Sequence, residues 1–273
     1  MTDYATIRVE DRGFMTWIVL DRPAAANALS HELLGEFRRV LRSLEDDGPP
    51  VIGIRGEGRG FSAGYDLAAM DMDSGRFDAV RDRARLQGYV DCYLQMWDHP
   101  KPIIAAVHGY CIGGATQMCT YADLTIVAED AHIGQAKIPV GGGFMTPVWV
   151  PLVGPKRAKE IAFIAGNAID GRTAVQWGWA NRAVRAEQVI AETEELAERI
   201  ARVPSDVLRM KKLAINRAAE SSGPRGAADG IAEIDTILHA TSSVQALREW
   251  VAEVGVKAAV DAYQSGDGLP DLP

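Results

Sequence analysis

Apolar positions fall into short dense runs over the first half of the chain and recur every three to four residues over the second half. The opening stretch "YATIRVEDRGFMTWIVL" places two apolar-rich runs either side of Asp11-Arg12-Gly13, which predicts a β-hairpin turning there. Ser30 then precedes "HELLGEFRRVLRSLEDD", where Leu33, Leu34, Phe37, Val40, Leu41 and Leu44 form one helical stripe, so Ser30 is read as the N-cap. A unit then repeats: "VIGIRG" leads into "EGRGFSAGYDL", "IIAAVHG" into "YCIGGATQM", and "LTIVAED" into "AHIGQAKIPVGGG". Each unit is a buried strand, a glycine-rich connection and a helix or turn, which predicts strand layers stacked in a spiral.

After Thr146 the period changes. "PVWVPLVGPKRAKEIAFIAG", "GRTAVQWGW", "AEQVIAETEELAERIARV", "SDVLRMKKLAINRAAE" and "AADGIAEIDTILHA" read as helices, and Val244 to Tyr263 adds one or two more. With no Pro/Ser-rich linker or low-complexity tract, the expectation is one α/β core over residues 1–200 and a helical part over 201–273.

Composition narrows the function. In 273 residues, 47% are hydrophobic and 24% charged, ordinary for a soluble globular chain able to bury one large core. A net charge of -8 argues against a nucleic-acid binder, while leaving room for an anionic small ligand at a local positive rim. Cys92, Cys111 and Cys119 lie among apolar neighbours without metal-ligand spacing, so no metal site is expected and the thiols read as buried and reduced. The N-terminus has no secretory pattern and no run is long enough to span a membrane, giving a cytoplasmic expectation.

The glycine turn in "HGYCIGGATQM" follows a buried strand, yet it fits neither a P-loop nor a dinucleotide fingerprint. Such a turn lets a ligand approach bare backbone amides. Together with "DRPAAANALS", "GRGFSAGYDL", "KPIIAAVHGYCIGGATQMCTYADLTIVAEDAHIGQAKIPVG" and "IDGRTAVQWGWANRAV", in order and at compatible spacing, it resembles the enoyl-CoA hydratase/isomerase (crotonase) superfamily. The resemblance covers nearly the whole chain and implies the crotonase-like spiral of strand-strand-helix turns. It also implies a homotrimer or a dimer of trimers, with coenzyme A entering as part of the substrate and no permanently bound cofactor. Leu247, Trp250, Val251, Val254 and Val256 supply apolar surface for a subunit contact or for the chain's own core.

The resemblance further implies that the backbone N–H groups of Tyr65 and Gly114 bind a thioester carbonyl. The physical need is general, because an enolate forming on that oxygen requires preorganised donors in a water-poor site. By the same resemblance Ala63, Tyr65, Asp66, Leu67 and Ala68 line the coenzyme path, with Arg22 near its mouth or, equally, a solvated surface charge. Phe144 and Met145 shape an acyl pocket or serve as plain core packing. The departure lies at two positions where hydratases of this family carry glutamates: here they are Gln117 and Lys137. Glutamine cannot act as a base, though its amide can orient a water or substrate oxygen. Lys137 has three readings: an acid or base with a lowered pKa, a fixed cation for a carboxylate or second carbonyl on the acyl chain, or a side chain without a chemical part that points outward or pairs with an acid such as Asp66 or Glu129. His108 and His132 read mainly as packed strand-end residues, Asp123 as structural, and Ser62 as a weak echo of a serine nucleophile. The expectation is an acyl-CoA enzyme performing isomerisation, C–C cleavage or atypical addition. The alternative is a non-catalytic acyl-CoA-binding protein.

Overall fold

The computed structural model describes residues 4–66, 77–141, 146–220, 223–228 and 230–273. The predicted hairpin is present as β1 (Ile7–Asp11) and β2 (Thr16–Leu20), antiparallel with Ile7 opposite Leu20. Its turn contains Gly13 at φ 80°, a left-handed conformation that costs a glycine little. The Ser30 cap is also present: its Oγ accepts from the Leu33 N–H at 3.1 Å at the start of α1 (His31–Ser43). All six residues of the predicted stripe are buried.

Five strands then run parallel in one sheet. β2 is followed across the ladder by β3 (Ile52–Gly56), β4 (Ile103–Val107), β6 (Leu124–Ala128) and β9 (Arg182–Val184), with β1 on the outer edge. A smaller sheet holds β5 (Tyr110–Ile112), β7 (His132–Gly134) and β8 (Ala168–Ile169). A bridge from Ser62 to Cys111 lengthens it by one layer. Successive passes of the chain therefore lay one strand on the large sheet and one extended segment on the small one. That is the predicted spiral. β4 is buried along its whole length, as expected of a parallel strand covered on both faces.

One element is absent from the sequence reading. α2 (Ala79–Asp98) connects the 60s loop to β4 and is capped by Asp78, whose carboxylate accepts from Val80 and Arg81. Its buried side includes Leu86, Tyr89, Val90, Tyr93 and Met96. At its C-terminus the buried His99 ring joins α1, with Nε2 3.0 Å from the Leu41 carbonyl. Nδ1 accepts from the Lys101 N–H at 3.1 Å.

The short α3 (Gly114–Tyr121) follows β5. The second-half helices are α4 (Thr146–Phe163), α5 (Gly171–Trp177), α6 (Val189–Ala201), α7 (Ser205–Ala219), α8 (Pro224–Ala228), α9 (Ile231–His239), α10 (Ser242–Val254) and α11 (Val256–Ser265). All but α8 follow the predicted segments, and the helix read from Ala227 begins only at Ile231, after Gly230 at φ 74°. α4 is bent at Gly154, where φ 78° and ψ 163° interrupt the helix just before Pro155. α7 is tied to the sheet region by Lys212, whose ammonium donates to the Met96 and Lys101 carbonyls and to Asp123. Leu247 and Val251 pack on Ile138 and Val140 of the same chain, whereas Val254 and Val256 are exposed. The three cysteines are free and buried. Burial pushes the Cys92 thiol up to about 12. No described helix is long and apolar enough to cross a membrane.

Candidate active site

Two glycine turns from successive spiral passes meet backbone to backbone. Gly64 has φ 90°, and a Cβ there would stand 2.5 Å from the Ile112 carbonyl oxygen and 3.2 Å from the Gly114 nitrogen. Only a glycine lets the two turns approach so closely. The first turn is braced from below: Ser62 Oγ donates to the Asn27 carbonyl at 2.7 Å and accepts from the Gly64 N–H at 3.1 Å. Asn27 in turn donates to the Glu57 and Gly60 carbonyls.

Leu29 fixes the next residues. Its N–H donates to the Gly64 carbonyl, and its carbonyl accepts from Asp66. This is parallel pairing of Leu29 with Tyr65, which directs the Tyr65 N–H to the opposite edge of the segment. On the facing turn, Gly113 adopts φ 60° and caps α3, placing Gly114 at its first position. A first-turn amide has no partner within its own helix, and it lies at the positive end of the helix dipole. The Gly64 and Gly114 turns thus lie backbone to backbone, which only the glycine at 64 permits.

The Tyr65 side chain adds what the sequence reading left out. Its ring lies over Gly114, since a Cβ built there would stand 2.6 Å from Cε2. The ring stacks on Tyr89 of α2 at 4.4 Å between centroids. Its hydroxyl donates to Gln117 Oε1 at 2.5 Å and lies 3.1 Å from the Tyr93 hydroxyl. Tyr93 also donates to the Gly114 carbonyl at 3.1 Å. Burial holds both phenols well above the usual tyrosine range, so both remain protonated donors. Tyr89 and Tyr93 are site residues that the sequence reading missed. Their signal was the apolar spacing of Leu86, Tyr89, Val90, Tyr93 and Met96 behind an Asp cap.

Gln117 follows Gly114 by three residues, so the two share a face of α3. It is fully buried, and its Nε2 has no hydrogen-bond partner among the described residues.

The remaining candidates divide. Asp66 accepts from Arg22 at 2.8 Å, and Arg22 also donates to the Ala28 carbonyl. Arg22 is therefore a strut of the Tyr65 turn rather than a freely solvated charge. Ala63 is exposed beside it. Lys137 packs its stem against Gly166 and makes no ion pair among the described residues. Its suggested partners are engaged elsewhere, Asp66 by Arg22 and Glu129 by Arg172 at 2.7 Å. Lys137 is half-buried and pairs with neither Asp66 nor Glu129. Leu67, Ala68, Phe144 and Met145 lie outside the described residues.

His108 Nε2 meets the Gly58 carbonyl at 2.8 Å, and His132 is exposed on β7, so neither is placed in the cluster. Ser62 is fully buried and committed to loop bracing, which removes the nucleophile reading. Asp123 is structural: it accepts from the Ile103 N–H and from Lys212, both at 2.7 Å. Among the described residues no group of three His, Cys, Asp or Glu side chains could hold a metal ion.

The family model described as enoyl-CoA hydratase/isomerase matches residues 12–251. The chain belongs to this family. A "Probable enoyl-CoA hydratase" from Rhizobium meliloti is 31% identical over 227 residues, covering 80% of this chain and 83% of that protein. A crystal structure called a "putative enoyl-CoA hydratase/isomerase", from Novosphingobium aromaticivorans, superposes with a TM-score of 0.91 at 47% identity, covering 97% of this chain and 100% of that one. An enoyl-CoA hydratase/isomerase from Xanthobacter autotrophicus Py2 gives a TM-score of 0.90 at 32% identity, covering 98% and 100%. The enoyl-CoA hydratase/isomerase fold thus extends through the helical C-terminal part.

Proposed function

We propose that this enoyl-CoA hydratase/isomerase family member acts on an acyl-CoA thioester, with the N–H groups of Tyr65 and Gly114 as its oxyanion hole. The observation that carries the reading is the backbone contact of the Gly64 and Gly114 turns. Donors fixed by the fold stabilise a developing enolate oxygen without reorganising during the reaction. The Leu29 ladder, the Ser62 brace and the Arg22–Asp66 pair supply that fixity.

The same cluster argues against ordinary hydration. Water addition needs a positioned base, and position 117 carries an amide whose oxygen is already held by a phenol. The phenols of Tyr65 and Tyr93, held protonated by burial, cannot replace a carboxylate as base. The chemistry that remains is isomerisation, C–C cleavage or atypical addition, each passing through charge on the thioester oxygen. Lys137, in the segment after β7, is the cation we assign to acyl recognition or proton transfer. Assembly into trimers, in which exposed Val254 and Val256 gain neighbours, belongs to the same reading. Sedimentation as a stable monomer at micromolar concentration counts against it.

Crotonyl-CoA hydration, followed by loss of enoyl absorbance, tests the reaction class. General base catalysis contributes about a hundred- to ten-thousand-fold, so the wild-type rate should be lower than that of a glutamate-bearing relative by that order. Gln117→Glu with Lys137→Glu should raise it. Wild-type turnover comparable to the relative's would sink the reading. The hole itself is tested by thermal protection with CoA thioesters, which should appear in the wild type and vanish in Gly114→Pro.

A further inference from the structure

Gln117 presents an unusual remainder. Buried polar groups are nearly always hydrogen-bonded, and leaving one unpaired costs roughly as much as a lost bond. Yet Gln117 Nε2 is sealed from solvent with no partner among the described residues. The orientation of its amide follows from distance. The 2.5 Å contact with the Tyr65 hydroxyl is short for N–H···O and normal for O–H···O. The phenol therefore faces the amide oxygen, and both Nε2 protons are directed elsewhere. Tyr65, itself fixed by stacking on Tyr89, holds that orientation.

We propose that Gln117 Nε2 receives an oxygen on C3 of the acyl chain, and that the enzyme selects 3-oxoacyl-CoA thioesters over 2-enoyl or saturated ones. The inference rests on the oxyanion-hole reading above. A thioester oxygen on the Gly114 N–H starts the acyl chain beside the first turn of α3. Gln117 lies three residues on, about 4.5 Å along the helix axis, on the face that carries Gly114. In a 3-oxoacyl thioester a single carbon separates the two carbonyl carbons, so the second oxygen falls within reach of an amide at that spacing. Its chemistry matches as well. A ketone oxygen only accepts, and Gln117, with Oε1 engaged, offers only donors. A 2-enoyl or saturated chain carries no oxygen there and leaves Nε2 unpaired. A site built to donate to a substrate oxygen rejects the analogue that lacks it. Bound in this way, both carbonyls of the 1,3-dicarbonyl face donors, which stabilises negative charge developing at C2.

Calorimetric titration with acetoacetyl-CoA and butyryl-CoA tests this, since the two chains differ only by the C3 oxygen. Wild-type protein should bind the oxo thioester at least roughly 10-fold tighter. Gln117→Met keeps the length and removes the amide. It should bring the ratio to about one. Tyr65→Phe frees the amide to turn and should narrow the ratio partway. Equal wild-type affinities, or a preference that persists in Gln117→Met, would overturn the assignment while leaving the hole intact. Binding of neither thioester by the wild type would instead overturn the acyl-CoA reading on which it rests. The wild-type ratio requires no variant to fold.

Discussion

Acidification should weaken the fold at one histidine before the carboxylates with lowered pKa values lose their contributions. His99 is 2% exposed, and burial depresses its pKa from 6.5 to about 4; the backbone hydrogen bonds to Leu41 and Lys101 oppose this, and the Lys212 and Lys101 charges add to it. Its hydrogen bonds require the neutral ring: one nitrogen donates to Leu41, and the other accepts from the Lys101 N–H. Protonation puts a second proton where that N–H already points. Because the folded pKa is the lower one, the unfolded chain binds more protons between pH 6.5 and 4. Stability is therefore full above pH 6.5 and falls as pH drops through that window. The loss from this residue is about 2 kcal/mol by pH 5 and about 3 kcal/mol by pH 4. Glu36, Glu57 and Asp82, whose pKa values are lowered from ordinary carboxylate values, lose their contributions only below about pH 4.5. Urea denaturation at pH 7.5, 6.5, 5.5 and 5.0 should show this slope, and His99→Gln should flatten it. Identical slopes for wild type and His99→Gln between pH 6.5 and 5 would refute the argument.

Gly114→Ala keeps the amide but places a Cβ 2.6 Å from the Tyr65 ring; turnover of CoA thioesters should drop at least about 10-fold, and steady-state rates equal to wild type would contradict the packing described. Ser62→Ala should cost about 1–3 kcal/mol in denaturation, through the unpaired Gly64 N–H, while turnover stays within roughly 10-fold; complete inactivation of a folded variant would restore the nucleophile reading. Lys212→Met strands the buried Asp123 carboxylate, which desolvation already pushes up, and should cost about 3–5 kcal/mol. Adding Asp123→Asn should recover most of that loss in a melting experiment, and no recovery would mean that the ion pair is not what the lysine supplies.

What could be read from the sequence was local. The Ser30 cap, the Leu33–Leu44 stripe and the hairpin at Gly13 each depend on neighbours a few residues apart, and each is where its pattern put it. The repeated strand-glycine units revealed the spiral because every pass repeats one physical problem. α2 escaped because its buried face mixes Asp82, Tyr89, Cys92 and Tyr93 with Leu86, Val90 and Met96, so its apolar period is faint. The site was half legible. Glycine spacing marked the two turns, but the Tyr65 side chain meets Gln117 across 52 residues and Tyr93 across 28. Such contacts leave no periodic trace. The same holds for Arg22 and Asp66, 44 residues apart, whose pairing removed one proposed partner of Lys137.

The Lys212 anchor also sets an order of events during synthesis. Asp123 and the carbonyls of Met96 and Lys101 belong to the part of the chain that leaves the ribosome first, whereas their shared donor comes 89 residues after Asp123. Until that donor emerges, a nascent core has a carboxylate and two carbonyls that it can close over only at a cost, so they stay hydrated. The large sheet can collapse early, but its seam beside β4 stays wet until α7 arrives. Ribosomes stalled before codon 212 should carry a compact, protease-sensitive intermediate, and those stalled well beyond it a resistant one.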